Sequence, residues 1–316
     1  MTTMDPDIEI MHVVLPQKLQ PEEHVKVTLS SEFNRKEPPP DIYNHAAFHV
    51  FDEETHSNEN FDPINSVWGH RIKNNPRLFN ATKFRIYSVE SVEQDAVVMS
   101  LGVTDYKHFL GTNWAPYVQH LQSKGAELHD NTQAFLSDAL GVGASVITND
   151  NFLMFLLRSE HCAEAPGTWD VPGGHAEPKE IIGDVPLQDI RLTSLDSSKV
   201  VHEIFDSILR EVTDEVNIPR ERLSAPLYTG THRNMTSAGR PSVAFEIKCS
   251  LSKEEVLQLY TKGSQSEADE STNILFLPWS DIPSLEMSNP ELWGKMAPSA
   301  KGNLTVLRLA HGVSTV

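Results

Sequence analysis

Residues 199–218 have the apolar spacing of a long amphipathic helix. Apolar side chains recur every four positions along it, at Val200, Ile204, Ile208, Val212 and Val216. Side chains at this spacing lie on one face of a helix and form a wide apolar stripe. The chain must therefore provide a core that covers this stripe, while the opposite side of the same helix stays polar.

The rest of the chain predicts both strands and helices. Alternating or continuous apolar residues predict strands at 25–29, 83–90, 95–103, 144–149, 152–158, 226–231, 243–249 and 274–278. A helical segment is predicted within 105–124, with an interruption near Gly111 and Pro116. Two further helices are predicted at 252–263 and 302–311. A Ser252–Glu255 capping box begins the helix at 252–263. A hairpin followed by a helix, more strands and a last helix indicates an α/β (α+β) fold, with helices flanking a mixed sheet and a β-rich portion before it.

Charge, hydrophobicity and cysteine content limit the partners and the cellular compartment that we expect for this chain. The 316 residues include 26 Lys and Arg against 44 Asp and Glu, a formal net charge of −18, which disfavours nucleic acids and anionic lipid as partners. No apolar run is long enough to span a bilayer, the N-terminal residues are acidic where a signal peptide is basic, and there are two cysteines only. We therefore expect a cytoplasmic protein with reduced thiols, with nuclear access left open, no membrane association and no protein partner that can be inferred.

The polar side of the 199–218 helix concentrates acidic groups. Glu211, Asp214 and Glu215 are three or four residues apart, next to Arg210. Carboxylates at this spacing repel one another, and a divalent cation such as Mg²⁺, which binds oxygen ligands, would reverse that effect. The alternative is a solvated acidic face on a half-buried helix.

Two segments carry a resemblance to a known family. The spacing of Gly174 and Glu180 matches the opening G-x5-E of the Nudix box, and residues 210–218 (REVTDEVNI) resemble its close, R-E-U-x-E-E-x-G-U, where U is a bulky apolar residue. Residues 169–175 (WDVPGGH) resemble the W-x-x-P-G-G-x segment that precedes the box. The chain thus resembles the Nudix hydrolases over about residues 137–310.

The chain departs from the family pattern in three places. Between Glu180 and Arg210 stand 29 residues, against seven in the family, which implies an insertion near 181–199. The role of the first glutamate is therefore open, because the position eight before Arg210 is His202, with Glu203 beside it. Asp214 replaces a glutamate and has a shorter reach. Asn217 replaces the closing glycine, and Asn also tolerates the left-handed conformation of a helix end.

The resemblance implies an α/β/α sandwich and a metal-dependent reaction on a diphosphate. Glu211 and Glu215 would hold Mg²⁺, for which Mn²⁺ could substitute, and Asp214 would contact it through water or bind another ion. Arg210 would orient these carboxylates, and Glu211 or Glu215 would act as the base or orient the attacking water. The implied division is an N-terminal extension (1–136) that contributes to the nucleotide pocket, a hydrolase domain (137–310) with its box at about 174–218, and a tail (311–316).

Further segments resemble one branch of this superfamily, the animal UDP-sugar diphosphatases. They are residues 101–106, 109–114, 140–143, 163–167, 236–240 and 298–302. This resemblance implies hydrolysis of UDP-glucose or UDP-galactose to UMP and sugar 1-phosphate. Two alternatives remain, namely another nucleoside diphosphate derivative such as ADP-ribose, or a Nudix-fold nucleotide-binding module without catalysis.

Candidate substrate contacts follow from what a UDP-sugar requires. Uracil needs an aromatic partner, for which Phe79 and Tyr106 are candidates, with a core role as the alternative for each. The diphosphate needs a cation, and Arg158 at a strand end is favoured over Arg240 and Lys301.

The sugar hydroxyls need polar side chains near the turn at Gly173–Gly174, called the glycine turn below, or in the C-terminal segment 298–302, which is predicted to be a loop. Candidates are Asp170, His175, Glu177 (which could instead reach the metal) and Ser299, and Ala163 belongs to the resembling segment after Arg158. The alternatives are a solvated strand-end charge for Arg158 and a surface histidine for His175.

Overall fold

A computed structural model describes residues 5–44, 62–76, 78–92, 96–162, 164–263, 265–266 and 270–313. Its strands are β1 (Ile8–Val13), β2 (Val25–Leu29), β3 (Thr82–Ser91), β4 (Val97–Asp105), β5 (Gly141–Ile147), β6 (Phe152–Arg158), β7 (Trp169–Asp170), β8 (Gly173–His175), β9 (Leu227–Asn234), β10 (Arg240–Lys248) and β11 (Ser271–Pro278). Its α-helices are α1 (Pro63–Asn74), α2 (Tyr106–Gly111), α3 (Val118–His129), α4 (Lys179–Ile182), α5 (Ser197–Val216), α6 (Lys253–Thr261), α7 (Leu285–Ser288), α8 (Pro290–Gly294) and α9 (Pro298–Ala310).

The strands form two mixed sheets. The larger has eight strands in the order β1-β9-β10-β5-β6-β11, with β7 paired to β6 and β8 paired to β5. Strands β10 and β5 are parallel, with Ser242 opposite Gly141, and the other pairs of this sheet are antiparallel. The smaller sheet has the order β2-β4-β3, with β2 parallel to β4. The predicted mixed α/β fold is confirmed.

Helix α5 is the long amphipathic helix that the sequence predicts. The Asp196 carboxylate caps its start, and Asn217 ends it in the left-handed conformation at a φ of 62°. Its apolar stripe contacts β2 of the small sheet and β5 and β8 of the large one, in the main hydrophobic core. Because both sheets cover this stripe, the polar edge of α5 lies beside the ends of β5 and β8.

Helix α9 covers the other face of the large sheet. It contacts β1, β5, β9 and β10, and most of its residues are buried. Lys301, in this helix, pairs with Asp5 at 3.0 Å and Asp7 at 2.6 Å, which fastens the N-terminal segment to α9. The large sheet is therefore enclosed between α5 and α9, and Lys301 is committed to this structural contact.

Helices α1, α2 and α3 form a second hydrophobic cluster beside the small sheet. A buried ionic network joins this region to the large sheet. The Arg85 guanidinium donates to the carbonyls of Phe33 (2.7 Å) and Gln133 (2.9 Å) and lies 3.6 Å from Asp138, which is also 3.7 Å from Arg233 of β9. Because Arg85 and Asp138 are both almost fully buried, removing either would leave the other charge unpaired in the interior.

The insertion predicted near 181–199 has a defined structure. It runs through α4 and two short 3₁₀ turns, Leu187–Asp189 and Leu192–Ser194, into the start of α5. Leu192 and Leu195 are buried in the main core. Within the described ranges, no helix is long and apolar enough to span a bilayer.

Candidate active site

A cavity of about 540 Å³ opens beside the polar edge of α5. Its lining comes from the N-terminal region, β5, the chain from the end of β6 to α4, helix α5, the starts of β10 and α9, and Glu270. Its lining includes Phe79, Lys83, Tyr106, Phe109, Trp114, Arg158, Glu164, Asp170, Gly173, Gly174, His175, Glu177, Glu180, Arg210, Glu211, Asp214, Arg240, Ser242, Ser299 and Asn303. Almost all of the predicted site residues thus share one cavity.

The glycine turn lies directly against the carboxylates of α5. The backbone N–H of Gly173 donates to Glu215 Oε2 at 3.2 Å, and that of His175 donates to Glu211 Oε1 at 3.4 Å. A Cβ on Gly174 would overlap the Glu211 carboxylate. Only glycine at this position leaves room for Glu211, which explains why the turn and the helical carboxylates occur together in the sequence.

The structure identifies two carboxylate partners of Arg210. Its guanidinium donates to Glu203 Oε1 at 2.7 Å and to Asp206 Oδ2 at 2.6 Å. Glu203 also accepts a hydrogen bond from the N–H of Glu177 at 3.1 Å. Burial raises the pKa of Glu203, and Arg210 opposes that effect. Glu203, and not Glu180 or His202, therefore joins α5 to the segment after the glycine turn.

The carboxylates on the polar edge of α5 provide the oxygen ligands that a hard divalent ion prefers. Glu211 and Asp214 line the cavity, whereas Glu215 is 5% exposed and lies behind Gly173. In the described part of the chain, no three His, Cys, Asp or Glu side chains form a ready cluster for a metal. One or two carboxylates completed by phosphate and water oxygens are a usual Mg²⁺ environment, so these residues fit such an ion.

Arg158, Asp170 and Ser299 form a connected group on one cavity wall. Arg158 Nη1 lies 3.4 Å from Asp170 Oδ2, and its Nε donates to the Glu164 carbonyl at 2.9 Å. Ser299 Oγ donates to Asp170 at 2.7–2.8 Å. Burial raises the pKa of Asp170, and Arg158 opposes this. The group thus presents a fixed guanidinium and a buried carboxylate to the cavity.

His175 and Glu177 lie close to the cations of the cavity. Burial, together with Lys83, Arg240 and Arg158, lowers the pKa of His175 well below its usual value, so its imidazole is neutral near pH 7. Glu177 pairs with Lys83 of β3 and with Lys179. Burial raises the pKa of Glu177, but these two lysines outweigh it and lower the pKa.

Aromatic side chains line the side of the cavity that the N-terminal region contributes. The rings of Tyr106 and Phe109 are 6.3 Å apart, and those of Phe109 and Trp114 are 5.1 Å apart. Phe79 is 71% exposed at the rim, so it is not a core residue. Ala163, a further predicted contact, lies outside the described residues.

Several cavity residues were not predicted from the sequence. Lys83 lies in a predicted strand, and Trp114 and Glu164 lie in segments that carry the resemblance, but none of the three was given a role. Glu203 was named only as a neighbour of His202. Arg240 was noted as a weaker cation and lies in the cavity, 5% exposed. Only proximity in the folded chain identifies these residues.

Comparison with known proteins gives the family. No family model matches the chain. A Bos taurus protein named uridine diphosphate glucose pyrophosphatase NUDT22 is 39% identical over 99% of this chain and 100% of its own length. The Homo sapiens protein of that name is 42% identical over 80% of this chain and 83% of its own length.

More distant matches have Nudix names. Nudix hydrolase 9 of Arabidopsis thaliana is 33% identical over 67% of this chain and 70% of its own length. The solved MutT protein of Methanosarcina mazei aligns with a TM-score of 0.32 at 17% identity, over 52% of this chain and 89% of that one. The curated relatives confirm the resemblance found in the sequence, and the chain belongs to the Nudix hydrolases, a family that generally uses divalent metal ions.

Proposed function

We propose that the chain hydrolyses UDP-sugars such as UDP-glucose and UDP-galactose to UMP and sugar 1-phosphate, with Mg²⁺. One observation carries the proposal: Glu211, Asp214, the glycine turn, Arg158 and an aromatic wall line a single cavity. This cavity combines a carboxylate site, a phosphate-binding cation and a surface on which a base can stack. Relatives that match over most of the chain are named as UDP-glucose pyrophosphatases.

The proposed metal ligands are Glu211 and Glu215, with Asp214 reaching the ion through water or binding another. When bound, Mg²⁺ would neutralise the diphosphate oxygens and lower the pKa of a water molecule, and Mn²⁺ would substitute for it. Arg210, held by Glu203 and Asp206, keeps α5 and the residues after the glycine turn in register. Either Glu211 or Glu215 would accept the proton of the attacking water.

The remaining predicted residues receive roles as substrate contacts. Tyr106 and the exposed Phe79 would hold the uracil face. Arg158, fixed by Asp170 and the Glu164 carbonyl, would donate to the diphosphate. This arrangement requires that Arg158 keep a donor directed into the cavity.

The sugar hydroxyls would be bound by groups of both polarities. Asp170 and Glu177 would accept hydrogen bonds, the neutral His175 ring would accept or donate one, and Ser299 would complete the set. Ala163 stays a proposed contact on the strength of the sequence resemblance alone. A sugar with a different hydroxyl pattern would leave some of these polar groups without a hydrogen bond, so the site would discriminate against it.

The proposed division of the chain assigns residues 1–136 to an extension that completes the pocket, residues 137–310 to the hydrolase domain and residues 311–316 to a tail. Phe79, Lys83 and Tyr106 support it, because they come from the extension and line the cavity. We also propose a cytoplasmic location, since Cys162 and Cys249 are free thiols.

Hydrolysis of a substrate panel tests the proposal. UDP-glucose, UDP-galactose and ADP-ribose are incubated with the protein and Mg²⁺, and the products are followed by ³¹P NMR. We expect UMP and sugar 1-phosphate from the UDP-sugars, and loss of turnover in Glu211→Gln. Turnover of ADP-ribose alone would assign another nucleotide substrate. Binding of UDP-glucose without turnover of any compound would indicate a non-catalytic module.

A further inference from the structure

Two glycines of β5 pack closely against polar side chains that line the cavity. A Cβ on Gly141 would overlap the Arg240 guanidinium and come within 2.7 Å of Ser242 Oγ, and a Cβ on Gly143 would lie 2.7 Å from Asn303 Nδ2. All three polar side chains line the cavity and are at least 95% buried. The Gly-x-Gly pair therefore makes room for converging polar groups.

The Arg240 guanidinium is held by Glu164. Its Nη2 lies 3.1 Å from Glu164 Oε2, while Glu164 Oε1 accepts hydrogen bonds from Asn234 Nδ2 and Ser237 Oγ, both at 2.9 Å. Glu164 is partly open to the cavity, with 24% of its side chain exposed. The pair thus places a donor group and an acceptor group side by side at the cavity surface.

This pair adjoins the aromatic wall. Trp114 Nε1 donates to Ser237 Oγ at 3.1 Å, and Ser237 in turn donates to Glu164. One hydrogen-bonded path therefore runs from the aromatic wall to Arg240. Aromatic side chains beside a mixed donor and acceptor edge suit a planar heterocycle, which stacks by its face on one ring and forms hydrogen bonds along its rim.

We propose that Glu164 and Arg240 recognise the edge of the uracil base, an inference that rests on the proposed function. Arg240 donates to O4 of uracil, and Glu164 accepts a hydrogen bond from its N3–H. Cytosine presents an amino group and an unprotonated N3 at the same positions, so it sets donor against donor and acceptor against acceptor. Cytosine would therefore leave buried polar groups without hydrogen bonds, which strongly disfavours its binding.

Binding of the nucleoside monophosphates tests this without turnover. UMP and CMP are titrated calorimetrically into the full chain in the presence of Mg²⁺. We expect the wild type to bind UMP at least about tenfold more tightly than CMP. In Glu164→Gln, Oε1 keeps the Asn234 and Ser237 hydrogen bonds while the other carboxylate oxygen becomes an amide donor, so the ratio of the two affinities falls about tenfold.

Glu270→Gln is the matched control, because Glu270 also lines the cavity but takes no part in the Glu164–Arg240 pair. It should leave the affinity ratio unchanged. Arg240→Lys keeps a positive charge beside Glu164 but loses the planar fork, and it should lower the ratio even if Glu164→Gln unfolds. Equal wild-type affinities for UMP and CMP, or an unchanged ratio in folded Glu164→Gln, would overturn the inference. Failure to hydrolyse UDP-glucose would instead refute the proposed function.

Discussion

The contact between Gly174 and Glu211 gives the sharpest mutational prediction. In Gly174→Ala the new Cβ would overlap the Glu211 carboxylate, with Oε2 at 2.8 Å and the other carboxylate atoms nearer still. The carboxylate must move on the order of 1 Å to relieve this overlap. It is the end of a flexible side chain, so the fold can absorb the change while the proposed metal ligand is displaced.

A misplacement of this size can lower a rate about 100-fold, which corresponds to about 2.7 kcal/mol in the activation free energy. We therefore expect kcat for UDP-glucose to fall about 100-fold in Gly174→Ala. The free energy of unfolding, measured by urea denaturation, should change by less than about 1 kcal/mol. Steady-state kinetics with Mg²⁺ in excess measures the first quantity.

Gly69→Ala provides the control, because a Cβ on Gly69 of α1 would meet nothing within 4 Å. Alanine is favoured over glycine within a helix, so this variant should retain wild-type kcat and be equally or more stable. Wild-type kcat in a folded Gly174→Ala protein would refute the assignment of Glu211. A large loss of stability in Gly174→Ala would refute the view that only the carboxylate gives way.

Three further predictions concern α5, the core and the base site. Glu203→Gln removes one of the two charged partners of Arg210 and should lower kcat about tenfold and the free energy of unfolding by about 1–3 kcal/mol, measured by kinetics and urea denaturation; no change in either would contradict the link. Burial and Arg240 lower the pKa of His232 to about 3, so below pH about 6.5 the unfolded chain binds a proton that the folded protein does not. Stability should therefore fall by about 1–2 kcal/mol between pH 7 and 5, and His232→Gln should lose this contribution; identical pH slopes would contradict it. Tyr106→Ala should raise KM for UDP-glucose about tenfold or more with kcat little changed, and an unchanged KM would remove Tyr106 from the base site.

Local sequence signals predicted many of the secondary structure elements. The apolar stripe predicted α5, alternation predicted β10, and the Ser252–Glu255 capping box is present at the start of α6. Periodicity and capping act between residues that are close in sequence, so the sequence alone is enough to predict these elements. The interruption predicted near Gly111 and Pro116 separates α2 from α3.

Some elements with weak local signals were not predicted. Strand β1 exists because it pairs with β9, and the short strand β8, which contains two glycines, is held by β5. Helix α1 has few buried residues and a weak apolar pattern. Pairing between segments far apart in the chain overrides local preference in such places.

In the candidate site, too, features within one helix were predicted and features that depend on tertiary packing were not. Glu211, Asp214 and Glu215 were identified because their spacing is local to one helix. The pairing of Glu203 with Arg210 was not predicted, because the insertion shifts the first glutamate out of the family spacing. Lys83 reaches Glu177 from a strand almost a hundred residues earlier, and only the packing of the two sheets around α5 brings them together.

Locating the bound metal tests the central claim most directly. Crystals of the protein with Mn²⁺ and UMP, measured at a wavelength where manganese scatters anomalously, would position the ion independently of the protein atoms. We expect an anomalous peak within coordination distance of a carboxylate oxygen of Glu211 or Glu215, beside the Gly173–Gly174 turn and facing the nucleotide phosphate. A peak bound elsewhere, with α5 carboxylates that contact neither ion nor phosphate, would contradict it.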